Sequence, residues 1–170
     1  MLIILTGLMG SGKTSVGKKL SSKLHYNFID LDALIEKKLQ KSIADIFNIY
    51  GEKYFRKIEF FILSQILPLI THNTILSLGG GAFTSEKNCN ICLQYGYVIW
   101  LNTNIEIIYK RLINNKNNAR PLLKNNIKST LFYLLKKRIA YYQKANYTIN
   151  INNENINVIS QNIIKMLNLK

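Results

Sequence analysis

The sequence predicts an α/β domain of three layers, α/β/α, around a five-stranded parallel sheet. Two patterns carry this expectation: short runs that are apolar at every position, and longer stretches of helical periodicity that alternate with them along the whole chain. A strand that is apolar on both sides needs cover on both faces, which helical crossovers supply. The third observation is length. A chain of 170 residues can bury a core without disulfides or a structural metal, and with no repeat or linker in view residues 1–170 read as one domain.

Leu2 to Leu5 opens the chain as a buried strand ending at Thr6-Gly7. A helix follows over about Gly12 to Leu24, with Val16, Leu20 and Leu24 on one face. Asn27-Phe28-Ile29 forms a second strand, stopped at Asp30. Two helical stretches, Ala33–Lys41 and Ile43–Tyr50, lead to Gly51, which punctuates before a long amphipathic helix from about Glu52 to Ile70, with Pro68 in its last turn. Thr74–Leu78 is the third strand, ended by Gly79-Gly80-Gly81. A helix near Glu86–Tyr95 precedes the fourth strand, Tyr97–Leu101, and another helix covers about Ile105–Asn114. The polar stretch 114–126, which carries Arg120-Pro121, reads as a mobile lid segment. A helix near Lys128–Lys144, a strand at Tyr147–Ile151 and a helix near Ile156–Leu167 complete the series.

Composition narrows the function. Hydrophobic residues at 48% and charged residues at 19% exclude a disordered chain. No apolar run approaches the ~20 residues of a membrane span, and no basic segment precedes Leu2-Ile3-Ile4-Leu5 as in a signal peptide. A soluble, cytoplasmic protein with no membrane partner is expected. Lys and Arg number 23 against 9 Asp and Glu, a net charge of +14, which suits either nucleic acid or small anionic substrates. The basic residues are dispersed and no aromatic RNA-binding motif accompanies them, so small anions on a chain biased toward Asn, Ile and Lys are the better reading, with no nucleic-acid partner. Cys89 and Cys92 form a lone CxxC without a second ligand pair and read as reduced packing residues. Nothing demands an oligomer, and a monomer is expected.

Gly7-Leu8-Met9-Gly10-Ser11-Gly12-Lys13-Thr14 fits GxxxxGK[ST] at every fixed position, after an apolar strand and at the start of a helix. Glycines let backbone N–H groups wrap phosphate, and the helix N-terminus adds its positive dipole end. Lys13 can reach the β and γ phosphates, and Thr14 can put a hydroxyl on Mg²⁺. The loop implies a purine nucleotide and phosphoryl transfer without naming the acceptor.

Ligands of open parallel sheets bind at the carboxyl ends of the strands. There stand Asp30 and Asp32, and then Gly79, Gly80 and Gly81. One aspartate could hold the water shell of a magnesium ion while the other orients an acceptor hydroxyl and takes its proton; an N-cap with a first-turn charge accounts for either one equally. The glycines allow close approach and offer N–H donors. Arg56, in Phe55-Arg56-Lys57-Ile58-Glu59, could pair with a carboxylate; Arg120 could close over the γ phosphate; Arg138 could clamp a further anion. Physics alone does not separate these three from the other basic residues.

The motifs GLMGSGKTSVGKKL, FIDLD, GEKYFRKIE, LSLGGGAF and RPLL, in this order over about Met1 to Lys144, resemble shikimate kinase, a P-loop family of the nucleoside monophosphate kinase group. The resemblance implies transfer of the γ-phosphoryl group of ATP to the 3-hydroxyl of shikimate, a step of chorismate and aromatic amino acid synthesis, with Mg²⁺ as cofactor. It places Gly10, Ser11, Gly12, Lys13, Thr14 and Ser15 on ATP, Thr14 and Asp30 at the magnesium, Arg111 against adenine and Arg120 on ATP as the lid arginine. Asp32 then holds the acceptor hydroxyls. Arg56, Gly79, Gly80, Gly81 and Arg138 hold shikimate, Glu59 supports them, and Phe47 and Phe55 wall the pocket. The family spaces Arg, Tyr and Ala four apart; here Arg138 and Tyr142 keep the spacing but Ala145 comes one residue early, so Arg138 or Lys137 takes the clamp register. Arg138 is preferred because a lysine lacks the bidentate fork. Where the family often has a basic adenine contact, this chain has Asn152-Asn153-Glu154-Asn155. Gluconate and nucleoside monophosphates are the rival acceptors, and an ATP-switched nucleic-acid binder is the rival from another class.

Overall fold

The computed structural model describes residues 1–114 and 126–169. Its elements run β1 (Leu2–Thr6), α1 (Lys13–Leu24), β2 (Asn27–Asp30), α2 (Leu31–Leu39), α3 (Ile43–Ile66), β3 (Thr74–Ser77), α4 (Glu86–Tyr95), β4 (Tyr97–Thr103), α5 (Ile105–Asn114), α6 (Ile127–Tyr142), β5 (Tyr147–Ile151) and α7 (Ile156–Met166). The five strands form one parallel sheet in the order β2-β3-β1-β4-β5. The predicted three-layer architecture is therefore the observed one.

The pleat explains why the central strands are apolar throughout. Successive residues point to opposite faces, so Ile3 and Leu5 of β1 pack with Val16 and Leu20 of α1 and Ile159 and Ile163 of α7. Leu2 and Ile4 face the other way, toward α2, α3, α4, α5 and α6, with Leu76, Val98 and Trp100 beside them. Each face needs its own apolar residue at every second position, and both faces are filled. Cys89 and Cys92 lie fully inside the larger cluster as free thiols, as their packing reading requires.

The larger departures from the expected boundaries have local reasons. Helix α2 begins at Leu31 rather than Ala33, because Asp30 caps it by accepting the N–H groups of Asp32 and Ala33 at 3.1 and 3.3 Å. The stretches on either side of Gly51 join as α3, bent where Gly51 takes φ 77°. Pro68 lies in a separate 3₁₀ turn, Leu67–Leu69. Strand β4 runs two residues past Leu101, because β5 pairs with it as far as Thr103↔Ile151. A 3₁₀ turn, Ala82–Thr84, follows the triple glycine, a feature that no periodicity signals in so short a segment. Most of the expected lid, Arg120 included, lies outside the described residues; its flanks are Asn114, ending α5, and Asn126, which caps α6.

Gly96 sits where α4 hands over to β4. A methyl group there would lie 2.8 Å from the Leu2 carbonyl oxygen and 2.9 Å from its side chain. Gly96→Ala is expected to cost about 1–3 kcal/mol, read as a lower urea midpoint with an unchanged slope.

Candidate active site

The phosphate loop follows β1 at the carboxyl edge of the sheet. Gly7, Gly10 and Gly12 have φ of 141°, 78° and 98°, and the positive values at Gly10 and Gly12 make the turn that aims the start of α1 into the cleft. The loop is held from inside. Lys13 Nζ donates to the carbonyls of Gly7 and Leu8, both at 2.9 Å, and Thr103 Oγ1 donates to the Ser11 carbonyl at 3.0 Å. Arg111, on α5, donates to the carbonyls of Gly10 and Ser11 at 3.3 Å. Its guanidinium therefore braces the loop as well as lining the cleft.

A cleft of about 580 Å³ opens over the loop. Asp30 and Asp32, Ser77, Leu78 and Gly80 line one side, and Ile156 and Ile159 of α7 line the other. Thr14 and Ser15 stand at its floor. Thr14 Oγ1 donates to Asp30 Oδ2 at 2.8 Å. Asp30 thus does two jobs that the sequence leaves as alternatives, capping α2 through Oδ1 and meeting Thr14 through Oδ2. A hydroxyl and one carboxylate are hard oxygen donors that suit a magnesium ion whose remaining shell is phosphate and water. Among the described residues no cluster of three His, Cys, Asp or Glu side chains forms a cage.

The triple glycine is where the other side groups converge. Its residues are needed for close approach rather than for unusual φ, since none is among the positive-φ positions. A methyl on Gly79 would lie 2.5 Å from Asp32 Oδ1, one on Gly80 would lie 2.9 Å from the Met9 backbone nitrogen, and one on Gly81 would lie 2.5 Å from Arg56 Nη2. The segment therefore touches the acidic pair, the phosphate loop and the arginine helix at once.

Arg56 projects from α3 and is held by two carboxylates on its own helix. Glu59 accepts from Nη1 with both oxygens at 2.9 and 3.0 Å, and Glu52 accepts from Nη2 at 3.0 Å. The guanidinium also lies 5.0 Å from the Phe55 ring centroid, and Phe47 packs on that ring at 4.8 Å. Glu59 is among the residues expected from the sequence, whereas Glu52 is not, although its i, i+4 spacing to Arg56 is a signal that could have found it. From α6, Arg138 is buried and donates to the Gly80 carbonyl at 3.1 Å. Lys137 instead lies on the helix surface, 4.5 Å from the Tyr133 ring centroid. Arg138, and not Lys137, thus stands at the triple glycine. The loop ahead of α7, which has no basic residue at 152–155, is held by the Glu154 carboxylate, which takes the N–H groups of Asn152 and Asn153 at 2.8 and 3.1 Å.

These charges perturb one another. Burial raises the Asp32 pKa and nearby Asp30 adds to the rise, while Lys13 and Arg56 oppose it. Burial pushes Glu59 up to about 7 even though Arg56 pulls it down. The folded protein therefore keeps a proton on Glu59 that the unfolded chain releases near its ordinary value of 4.5. The stability this contributes is complete below that value and is lost as pH rises through about 7. The difference in Tm between the native protein and Glu59→Gln is expected to shrink between about pH 5 and about pH 8; a constant difference in a calorimetric pH series would contradict this.

Comparison with known proteins agrees with the geometry. A family model described as shikimate kinase matches residues 9–168. The chain is 42% identical over 163 residues to shikimate kinase of Dictyoglomus turgidum, covering 95% of this chain and 94% of the relative. It is 37% identical over 164 residues to that of Caldanaerobacter subterraneus subsp. tengcongensis, covering 96% and 94%. The structure of shikimate kinase from Acinetobacter baumannii in complex with shikimate superposes with a TM-score of 0.91 at 36% identity, over 98% of this chain and 92% of that one. A phosphate loop, an acidic pair and a triple glycine met by two arginines thus occur in a chain that matches over nearly its whole length, and the chain belongs to the shikimate kinase family.

Proposed function

We propose that the protein transfers the γ-phosphoryl group of ATP to the 3-hydroxyl of shikimate, giving shikimate 3-phosphate and ADP for the chorismate route. The observation that carries this reading is the triple glycine, against which Asp32, Arg56 and the phosphate loop all pack, together with the shikimate bound in the related Acinetobacter baumannii enzyme. The acceptor side is built for a small carboxylic acid bearing hydroxyls. Arg56 and Arg138 present cations for the carboxylate, and Asp32 stands near the phosphate loop to orient a hydroxyl and receive its proton. Burial holds its pKa above the ordinary carboxylate range, which improves it as a base at neutral pH.

On the nucleotide side, Gly10 to Ser15 receive the phosphates, Lys13 spreads over the β and γ groups, and Arg111 borders the adenine end of the cleft. Thr14 and Asp30 would hold Mg²⁺, which when bound neutralises charge on the phosphate oxygens. Arg120 keeps the role that the resemblance gives it, on ATP. Phosphoryl transfer through a loose transition state asks the protein for alignment and charge rather than covalent chemistry, and these residues supply both. No helix of the described residues is long and apolar enough to cross a membrane. A cytoplasmic monomer acting on two small anionic substrates, without nucleic acid, completes the proposal.

The test is ADP release with ATP and Mg²⁺ plus shikimate, gluconate, a nucleoside monophosphate or no acceptor. Shikimate alone is expected to support turnover, and Lys13→Ala to abolish it. Turnover with another acceptor and none with shikimate would sink the assignment. Asp32→Asn is expected to lower kcat by roughly 10²–10⁴ with little change in the KM for ATP. Arg56→Lys keeps the charge but loses the fork, and is expected to raise the shikimate KM by roughly tenfold or more.

A further inference from the structure

Tyr142 lies one helical turn beyond Arg138 on the same face of α6. It is fully buried, yet its hydroxyl is used. The O–H donates to the Gly80 carbonyl at 2.6 Å, and Arg138 Nη1 donates to that same oxygen at 3.1 Å. One carbonyl, that of Gly80, therefore accepts from both Arg138 and Tyr142 and ties the glycine segment to α6. The ring stacks on Trp100 of β4, with centroids 5.6 Å apart and planes at 26°. A phenylalanine would fill that space equally well and would avoid the penalty of burying a phenol. Packing explains the ring and leaves the hydroxyl unexplained.

We propose that Tyr142 is a positioning residue for the acceptor: its hydroxyl fixes the Gly80 carbonyl toward α6, and so sets the glycine N–H groups and the Arg138 guanidinium for the acceptor carboxylate and hydroxyls. This rests on the assignment of Arg138 and Gly80 to the acceptor site. All peptide bonds of the described residues are trans, so a carbonyl fixed toward α6 turns the N–H of Gly81 the opposite way. Among the described residues no protein acceptor takes the N–H of Gly80 or Gly81, which leaves both for a ligand. The guanidinium has five N–H donors. With the Tyr142 hydroxyl sharing the carbonyl, Arg138 is not its sole partner and keeps donors for an anion. Burial pushes the phenol up to about 12, so the hydroxyl stays a donor at any pH where the enzyme works.

The experiment is steady-state kinetics of Tyr142→Phe in the full chain, beside Arg138→Ala and Trp100→Phe. Tyr142→Phe is expected to raise the shikimate KM about tenfold, the factor commanded by one hydrogen bond at the upper end of the usual range, with kcat and the KM for ATP within about twofold. Trp100→Phe disturbs the ring stacking without touching the hydroxyl, and is expected to lower Tm while leaving the shikimate KM in place. An unchanged shikimate KM in folded Tyr142→Phe overturns the proposal, as does an equal rise in Trp100→Phe, which would make ring packing sufficient. If Arg138→Ala leaves the shikimate KM unchanged, the acceptor-site assignment itself falls; if it raises KM and Tyr142→Phe does not, only the present inference falls. A second measurement needs no variant. In protein carrying ¹³Cζ-tyrosine, a protected hydroxyl proton is expected on one tyrosine, shifting on addition of shikimate and not of ADP. No protected hydroxyl proton, or one that ignores shikimate, overturns the proposal even if Tyr142→Phe fails to fold.

Discussion

Three consecutive hydrogens, where any other residue would carry a carbon, set the layout of this molecule's working edge. A methyl group on Gly79, Gly80 or Gly81 would crowd a different partner each time: the Asp32 carboxylate and the Arg56 guanidinium, whose ends can shift, and for Gly80 the backbone of the phosphate loop, which cannot shift cheaply. Phosphoryl transfer is sensitive to small errors in the separation of donor and acceptor, and in the proposed site the backbone contact of Gly80 with Met9 helps to set that separation. A Cβ at Gly80 would push directly on the Met9 amide, so the phosphate loop and the glycine segment lie in close backbone contact. The carbonyl of the same residue is tied to α6 through Arg138 and Tyr142. One peptide segment thus registers three helices and a loop against one another.

The electrostatics of the edge follow from the crowding. Asp32 and Glu59 are carboxyl groups in surroundings that disfavour charge, and the pKa of each is raised by burial against the pull of neighbouring cations. Arg56 is bracketed by Glu52 and Glu59 on its own helix, which holds its fork in one orientation; in the role proposed for it on the acceptor carboxylate, this lowers the entropy lost on binding. A guanidinium already paired is less attractive to an anion than a bare one, so the arrangement exchanges some binding strength for placement. That exchange suits an enzyme whose task is alignment, because binding that is equally strong in ground state and transition state does not accelerate the chemical step.

How much of this is legible in the sequence depends on the range of the interaction. The phosphate loop is legible because strand, loop and helix start are contiguous, and Lys13 and Thr14 follow from spacing alone. Asp30 is legible as a residue but not as a choice between roles, because a carboxylate has two oxygens and the fold uses one for the cap and one for Thr14. Arg56 with Glu59 is readable from helical spacing, and Glu52 at i, i+4 is equally readable although no motif draws the eye to it. The preference for Arg138 over Lys137 rests on the fork of the guanidinium, and burial of the former in the fold agrees with it. What no local pattern discloses is the hydrogen bond from Tyr142 to Gly80, made across 62 positions of sequence, or the 3₁₀ turn at Ala82–Thr84, which is shorter than any period that could announce it.

The net charge of +14 has a different location from the chemistry. Lys18, Lys37, Lys38, Lys53, Lys57, Lys136 and Lys137 are exposed, whereas the cations that face the cleft edge are few and largely matched. Arg56 has two carboxylates, and Lys13 and Arg111 direct hydrogen bonds to loop carbonyls. The excess charge therefore adds little to the local pairing of a bound substrate and acts mainly as a long-range field. Such a field concentrates anions near the cleft and fades over about 8 Å at physiological ionic strength. ATP and a carboxylate acceptor are both anionic, so the same surface draws in both substrates, and it attracts the anionic products as well. In the proposed assignment selectivity comes from the inner edge, where a wrong acceptor leaves Asp32, Arg56 or Arg138 without a substrate partner.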